Sequence, residues 1–135
     1  MPQLASNFIV IDAKQAATEI PVTPNIYEEL DANFEQFKGC ILVSEYTFSS
    51  DWPSWEMHPH GDETLYLISG EASLLLYADG EERQIELNTP GSFVIIPKGA
   101  WHTAFVKTSC RILFITPGEG TINAVDPRPH QTLGV

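Results

Sequence analysis

Residues 91–102 read GSFVIIPKGAWH, a short apolar run that is closed by a tight turn and followed by Trp101 and His102. The β-branched and aromatic residues between glycine and proline predict a strand, and the Pro-Lys-Gly sequence predicts the turn that ends it. Residues 55–70 read WEMHPHGDETLYLISG and combine histidines, turn residues and a β-prone run in the same way. Both segments therefore place histidines next to turns in a region of short strands.

Further β-prone runs lie on both sides of these two segments. Turn residues such as Asp79-Gly80 and Pro117-Gly118 separate the runs. The predicted strands are 8–11, 40–48, 55–58, 63–69, 72–77, 83–87, 92–96, 102–107 and 111–116. Eight or so short strands at this spacing are typical of an all-β sandwich or barrel.

One amphipathic helix is predicted before the β region, at residues 23–37. Thr23 is placed to cap it and Pro24 suits its first position, while apolar residues recur every three to four positions up to Phe37. We expect its aromatic residues to pack against a sheet. The chain then divides into an N-terminal strand and helix (1–39), a barrel (40–118) and an extended C-terminal arm (119–135), all within one domain.

The chain is acidic, with 7 Lys and Arg against 18 Asp and Glu and a formal net charge of −11 over 135 residues. Such a surface repels phosphate backbones and anionic lipid headgroups, which argues against nucleic-acid and membrane partners. No secretory signal or membrane span is recognisable, so a cytoplasmic location is expected. Cys40 and Cys110 lie in apolar segments and are expected to be buried free thiols.

Three of the four histidines fall in the two segments quoted above. Alternate side chains of a strand share a face, so Glu56, His58 and His60 point together if the strand is regular. Glu63 opens an otherwise apolar strand, where a carboxylate needs a partner or a cation. Together with His102 these residues predict a divalent-metal site. His130, in the arm, is expected to be solvated.

These residues resemble the cupin superfamily, whose β-barrels carry two signature motifs. The second motif, G-x5-P-x-G-x2-H, is matched in full by Gly91, Pro97, Gly99 and His102, and Val106 stands where an asparagine often follows. The first motif, H-x-H-x3–4-E-x6-G, is matched in its second half by Glu63 and Gly70. The resemblance implies a double-stranded β-helix, or jelly-roll, barrel, and the short helix predicted above precedes it.

The first half of that motif allows two registers. With His58 and His60 as the histidine pair, the spacing to Glu63 is one residue short and residues 61–62 form a two-residue hairpin turn. With Glu56 and His58 as the pair, the spacing is restored and residues 59–62 form a longer loop. We favour the longer loop because Pro59 cannot donate a hydrogen bond inside a paired strand.

The site expected from these patterns is a divalent ion held by His58, Glu63, His102 and one of Glu56 or His60. Fe(II), Mn(II), Ni(II) and Zn(II) all suit such ligands. An open coordination position leads us to expect a metal-dependent dioxygenation or isomerisation of a small organic molecule. A non-catalytic binding or sensing module and a barrel with a vestigial site are the alternatives. Apolar outer strand faces and the run 40–48 suggest a homodimer formed by edge or face pairing of strands.

Overall fold

Eleven strands and one short α-helix make up residues 1–129, the part of the chain that the computed structural model describes. The helix α1 covers Ile26–Asn33, and a short 3₁₀ helix follows at Glu35–Phe37. The strands are β1 Asn7–Ile11, β2 Ala17–Pro21, β3 Ile41–Phe48, β4 Trp55–Met57, β5 Glu63–Gly70, β6 Ala72–Ala78, β7 Glu81–Leu87, β8 Phe93–Ile96, β9 Trp101–Phe105, β10 Cys110–Thr116 and β11 Ile122–Ala124.

The strands form two antiparallel sheets. The six-stranded sheet has the order β2-β1-β3-β10-β5-β8, and the five-stranded sheet has the order β11-β4-β9-β6-β7. The main core lies between the sheets and contains Leu65 and Leu67 from β5, Leu74 from β6 and Ile112 from β10, all without exposed surface. The predicted all-β jelly-roll barrel with a short N-terminal helix is confirmed.

Gly70 marks the corner where the chain leaves the six-stranded sheet for the five-stranded one. It has φ +75°, and a Cβ built on it would lie 2.1 Å from the carbonyl oxygen of Ser109. Gly80, in the β6–β7 hairpin turn, has nearly the same φ of +77° but nothing within 4 Å. The glycine of the first motif is therefore required both by its backbone angle and by a close approach of another segment.

We expect Gly70→Ala to destabilise the fold by about 2 kcal/mol more than Gly80→Ala. Both variants place a side chain in left-handed backbone, so their common strain cancels, and the remaining difference is the clash with Ser109. Urea unfolding of the two variants measures this difference. Equal losses of stability would show that the close approach at Gly70 relaxes without cost.

The predicted helix at 23–37 is present but shorter. Residues 35, 36 and 37 have φ values of 52°, 58° and 60°, which end the helix in a left-handed 3₁₀ turn. Ile26, Leu30 and Phe37 pack with Phe8 of β1 in a second, smaller core, as expected for the apolar face. Tyr27 does not join that core, because it is 56% exposed and its hydroxyl forms a short hydrogen bond with the hydroxyl of Tyr46.

Two strands were not predicted. β2 is an exposed outer strand with little apolar patterning, and β11 has only three residues. β11 lies in the segment assigned to the extended arm, and it pairs with β4 beside the barrel core. That segment is therefore paired with the barrel over these three residues. The division into 1–39, 40–118 and 119–135 stays a prediction. Cys40 and Cys110 are free and buried, as predicted.

No helix within residues 1–129 is long and apolar enough to cross a membrane.

The C-terminal part of the described chain is held by Arg128, whose guanidinium forms ion pairs with Asp126 and Glu82 and lies 4.9 Å from the ring centre of Trp55. His130 lies outside the described residues.

Candidate metal centre

Three of the five predicted ligands meet between the two sheets. His58 follows the last residue of β4, and His102 is the second residue of β9, so both come from the five-stranded sheet. Glu63 is the first residue of β5 and comes from the facing sheet, on the same side of its strand as Leu65. The barrel thus brings one carboxylate opposite two imidazoles.

The three side chains are close and almost completely buried. His102 Nε2 lies 3.0 Å from Glu63 Oε1, and His58 Nε2 lies 3.3 Å from Glu63 Oε2. No more than 4% of any of the three side chains is exposed. One ligand atom from each residue lies within 4.8 Å of the others, a spacing at which a single ion could contact all three.

Neither proposed hairpin register between Glu63 and the histidines is correct. β4 pairs with β9 and β11, whereas β5 pairs with β8 and β10, so no hairpin joins β4 to β5. Residues 59–62 lie outside the strands and cross from one sheet to the other. Pro59 is accordingly unpaired, as the longer-loop register required, but His58 reaches Glu63 across the barrel. Sequence patterns within one segment do not reveal that its two strands belong to different sheets.

Backbone hydrogen bonds join this crossing loop to the turn that precedes His102. The N–H of Gly99 donates to the carbonyl oxygen of His58 over 3.0 Å. The N–H of Lys98 donates to the carboxylate of Asp62 over 2.8 Å. These two hydrogen bonds join the two sequence motifs and fix the position of His58 relative to His102.

The hydrogen bonds of the ring nitrogens assign the same tautomer to both histidines. The Thr121 hydroxyl donates to the carbonyl of Gly118 over 2.8 Å, so its oxygen accepts from His58 Nδ1 over the same distance. His102 Nδ1 lies 3.4 Å from the carbonyl of Ala100, which can only accept. Both Nδ1 atoms therefore carry hydrogen, and both Nε2 atoms face Glu63.

This arrangement leaves buried polar atoms unsatisfied. His58 Nε2 and Glu63 Oε1 have no hydrogen-bond partner among the described residues. His58 Nε2 nevertheless lies 3.3 Å from Glu63 Oε2, and Glu63 Oε1 lies 3.0 Å from His102 Nε2. With the hydrogen on Nδ1, a neutral imidazole directs its Nε2 lone pair at the carboxylate and cannot donate to it. A shared divalent cation relieves this conflict, and outward Nδ1–H groups bonded to oxygen are the usual support of metal-binding histidines.

The protonation of Glu63 and the protonation of His58 depend on each other. Burial alone would raise the pKa of Glu63, but the contacts with His102 and His58 lower it to about 2. Burial opposes the protonation of His58, yet the contact with Glu63 and the charge of Glu56 give this imidazole a raised pKa. Without a metal, Glu63 is thus an anion that favours the protonated form of His58.

Glu56 and His60, the two alternatives for a fourth ligand, lie differently. Glu56 is the cross-strand partner of His102 and lines the cavity beside the cluster. Burial and the charge of Glu63 raise the pKa of Glu56. His60 is 55% exposed, and its Nε2 lies 3.9 Å from the carboxylate of Glu119. Neither residue belongs to the group of three whose ligand atoms converge.

A cavity of about 870 Å³ opens beside the cluster, between the barrel and the segment of α1 and the 3₁₀ helix. His58, Glu63 and Glu56 lie at its inner end, and Tyr27 and Glu35 lie on the helical side. The volume is in the range of small-molecule sites. The cluster is therefore accessible to an organic ligand as well as to an ion.

Two supporting residues were missed in the sequence. Thr116 donates a short hydrogen bond to Glu63 Oε2, and Thr121 orients His58. Thr116 has a signal, because it shares the inward face of β10 with Ile112 and Phe114 and so is a polar residue at a core position. Thr121 has none, since it lies in a turn before β11 and reaches His58 only through the fold.

The fold and the site together define an all-β barrel with a buried His-Glu-His cluster. No protein-family model and no curated protein matches the chain. Solved structures do match: oxalate oxidase at 17% identity and TM-score 0.52, over 61% of this chain and 45% of that one, and a mutant of Bacillus subtilis oxalate decarboxylase at 22% identity and TM-score 0.53, over 62% and 23%.

A cupin superfamily protein from Desulfitobacterium hafniense matches at 22% identity and TM-score 0.47, over 56% of this chain and 65% of that one. The chain has the cupin fold, as the two motifs predicted. It spans less than half the length of the oxalate oxidase and oxalate decarboxylase chains. At identities this low, the structural similarity establishes the fold and does not establish the reaction.

Proposed function

We propose that this protein binds a divalent metal ion through His58, Glu63 and His102 and a small organic molecule in the adjoining cavity. The observation that carries the proposal is the convergence of two imidazole Nε2 atoms, each with a hydrogen-bearing Nδ1, on one buried carboxylate. Fe(II), Mn(II), Ni(II) and Zn(II) accept this ligand set. The cavity beside the cluster supports the second ligand.

Glu56 is the proposed fourth protein ligand in preference to His60. It faces the same side of the five-stranded sheet as His102 and lies near enough for its charge to act on His58. His60 is exposed and lies beside Glu119. With Glu56 as the fourth protein ligand, an ion that takes more than four ligands would keep coordination positions for water or the organic ligand.

The proposed reaction class is a metal-dependent dioxygenation or isomerisation. A bound divalent ion would polarise a carbonyl or enol oxygen of the organic ligand or bind dioxygen. The chain's own contribution is to orient both imidazoles through Thr121 and Ala100 and to exclude water with the apolar barrel. Oxygen uptake by the metal-loaded protein with a panel of enols and catechols would separate dioxygenation from the other reactions.

Elemental analysis of protein purified without chelators tests the metal. We expect close to one equivalent of a transition metal in the wild type and in His60→Ala, which is the matched control because His60 is exposed. His58→Ala/His102→Ala is expected to carry almost none. Thr121→Val keeps all three ligands and is expected to bind added Zn(II) about tenfold more weakly, since loss of an orienting partner typically costs 10–100-fold.

The double variant removes two buried side chains, so its circular dichroism and thermal melting must resemble those of the wild type before its metal content is interpreted. If it does not fold, Thr121→Val alone decides the question. Equal metal content in wild type and folded double variant, or unchanged Zn(II) affinity in Thr121→Val, would contradict the proposed site.

We also propose a homodimer formed by the outer face of β5, β8 and β10. Four apolar side chains on this face are 38–64% exposed, namely Tyr66, Phe93, Ile95 and Ile115. β8 lies at the edge of its sheet, which leaves backbone groups free to pair with a second copy. The run 40–48 cannot supply edge pairing as expected, because β3 lies between β1 and β10.

A cytoplasmic location stays a prediction.

Sedimentation equilibrium tests the dimer. We expect twice the 15.0 kDa of one chain for the wild type and a single-chain mass for Phe93→Ser/Ile95→Ser. Ile122→Ser, which changes an exposed apolar residue of the other sheet, should remain dimeric. A wild type that sediments as one chain excludes the dimer.

A further inference from the structure

We infer that the cavity takes an aromatic molecule that carries no anionic group, and that it prefers one with a positively charged amine. The inference rests on the proposed function in that it concerns the same cavity. It is carried by two features of the wall, a continuous series of aromatic rings and a one-sided distribution of charge.

Aromatic side chains extend without a break from the helical side of the cavity to the cluster. The Tyr27 hydroxyl contacts that of Tyr46, whose ring centre lies 5.9 Å from that of Phe114. Phe114 is 6.0 Å from Trp52, and Trp52 is 6.1 Å from His102. An aromatic ligand could therefore contact rings at every depth between the opening and the cluster.

These rings are not sealed inside the core. Tyr46, Phe48 and Trp52 are only partly buried and pack against the edge of the main core, and all three line the cavity. Phe48 lies 5.2 Å from Trp52 and 6.0 Å from Phe114, so the three form one surface. Aromatic faces attract both planar rings and cations.

Charge along the cavity is almost entirely negative. Among the described residues that line it, Lys38 is the one lysine or arginine, against five carboxylates: Asp31, Glu35, Glu56, Glu63 and Glu119. A divalent ion on the cluster would compensate two of these charges, Glu63 and Glu56. The three that remain lie on the helical side of the cavity and at the turn after β10.

This distribution disfavours a small dicarboxylate. An oxalate dianion would meet Asp31, Glu35 and Glu119, with Lys38 as the one lysine or arginine among the described lining residues. A protonated amine is attracted by the same carboxylates and by the faces of the aromatic rings. The ligand class inferred for this chain thus differs from the oxalate that the names of two of its structural neighbours state.

Three probes of similar shape test the inference by quenching of tryptophan fluorescence, since Trp52 lines the cavity. They are tyramine, a cation; 4-ethylphenol, which is uncharged; and 4-hydroxyphenylacetate, an anion. We expect tyramine to bind at least tenfold more tightly than 4-hydroxyphenylacetate, with 4-ethylphenol between them, and oxalate to displace none of them. Anion binding equal to or tighter than cation binding would overturn the inference.

Matched variants separate the two features. Asp31→Asn/Glu35→Gln is expected to reduce the ratio of tyramine to 4-hydroxyphenylacetate affinity at least threefold, whereas Glu82→Gln, outside the cavity, should leave it unchanged. Phe48→Leu is expected to weaken tyramine and 4-ethylphenol by similar factors. If the charge variant leaves the ratio unchanged or Phe48→Leu weakens neither probe, that feature does not select the ligand and the inference fails.

The titrations are made on metal-free and Zn(II)-loaded protein, so that the proposals can fail independently. A tyramine preference in protein that binds no metal would retain the ligand class and remove the proposed metal site. Tight Zn(II) binding together with a preference for 4-hydroxyphenylacetate would do the reverse.

Discussion

Glu63→Gln is expected to weaken Zn(II) binding by at least about 100-fold. The carboxylate lies between the Nε2 atoms of His58 and His102 and is the one anion of the three converging groups. An amide of the same shape keeps the packing but loses the charge, and loss of a direct ligand should exceed the 10–100-fold typical of an outer partner.

Isothermal titration calorimetry of metal-free protein measures this loss. Glu71→Gln is the matched control, because Glu71 is exposed in the turn between β5 and β6. A Glu63→Gln variant that binds Zn(II) as tightly as the control would show that the carboxylate does not coordinate the ion.

The metal-free wild type is expected to lose about 3 kcal/mol more stability than Glu63→Gln when the pH falls from 5 to 2. The fold lowers the pKa of Glu63 from its ordinary 4.5 to about 2. A lowered pKa contributes stability that is fully present above pH 4.5 and is lost as the pH falls toward 2. The size follows from about 1.4 kcal/mol for each pH unit.

Urea unfolding across this pH range, with a chelator present, gives the two curves. The difference between wild type and Glu63→Gln should shrink steadily below pH 4.5, while Glu71→Gln should follow the wild type. Parallel curves for wild type and Glu63→Gln would mean that the carboxylate gains nothing from the histidines. In that case the contacts with His58 and His102 do not lower the pKa of Glu63.

The second motif was easy to interpret from sequence because its parts are local. Gly91 lies in the turn before β8, Pro97 and Gly99 lie in the turn after it, and His102 follows within the next strand, β9. Glu63 was recognisable because a carboxylate among inward-facing leucines conflicts with burial. Such conflicts are visible in one segment alone.

The rest depended on contacts between distant segments. The path of residues 59–62 between the sheets, and therefore the position of His58, follows from strand pairing that no local pattern encodes. Thr121 acts on His58 through β11, which is too short and exposed to give a strand signal. The early end of α1 arises from left-handed residues at 35–37 that carry no glycine to indicate it.

The two sheets each supply part of the metal site, and this has a consequence for the order of events during folding. His58 and His102 come together only when β4 and β9 pair, and Glu63 reaches them only when the sheets close on each other. A partly folded chain therefore offers an ion no more than isolated ligands. Metal capture should therefore be the last step of folding, because the complete set of three ligands exists only after the two sheets have closed on each other.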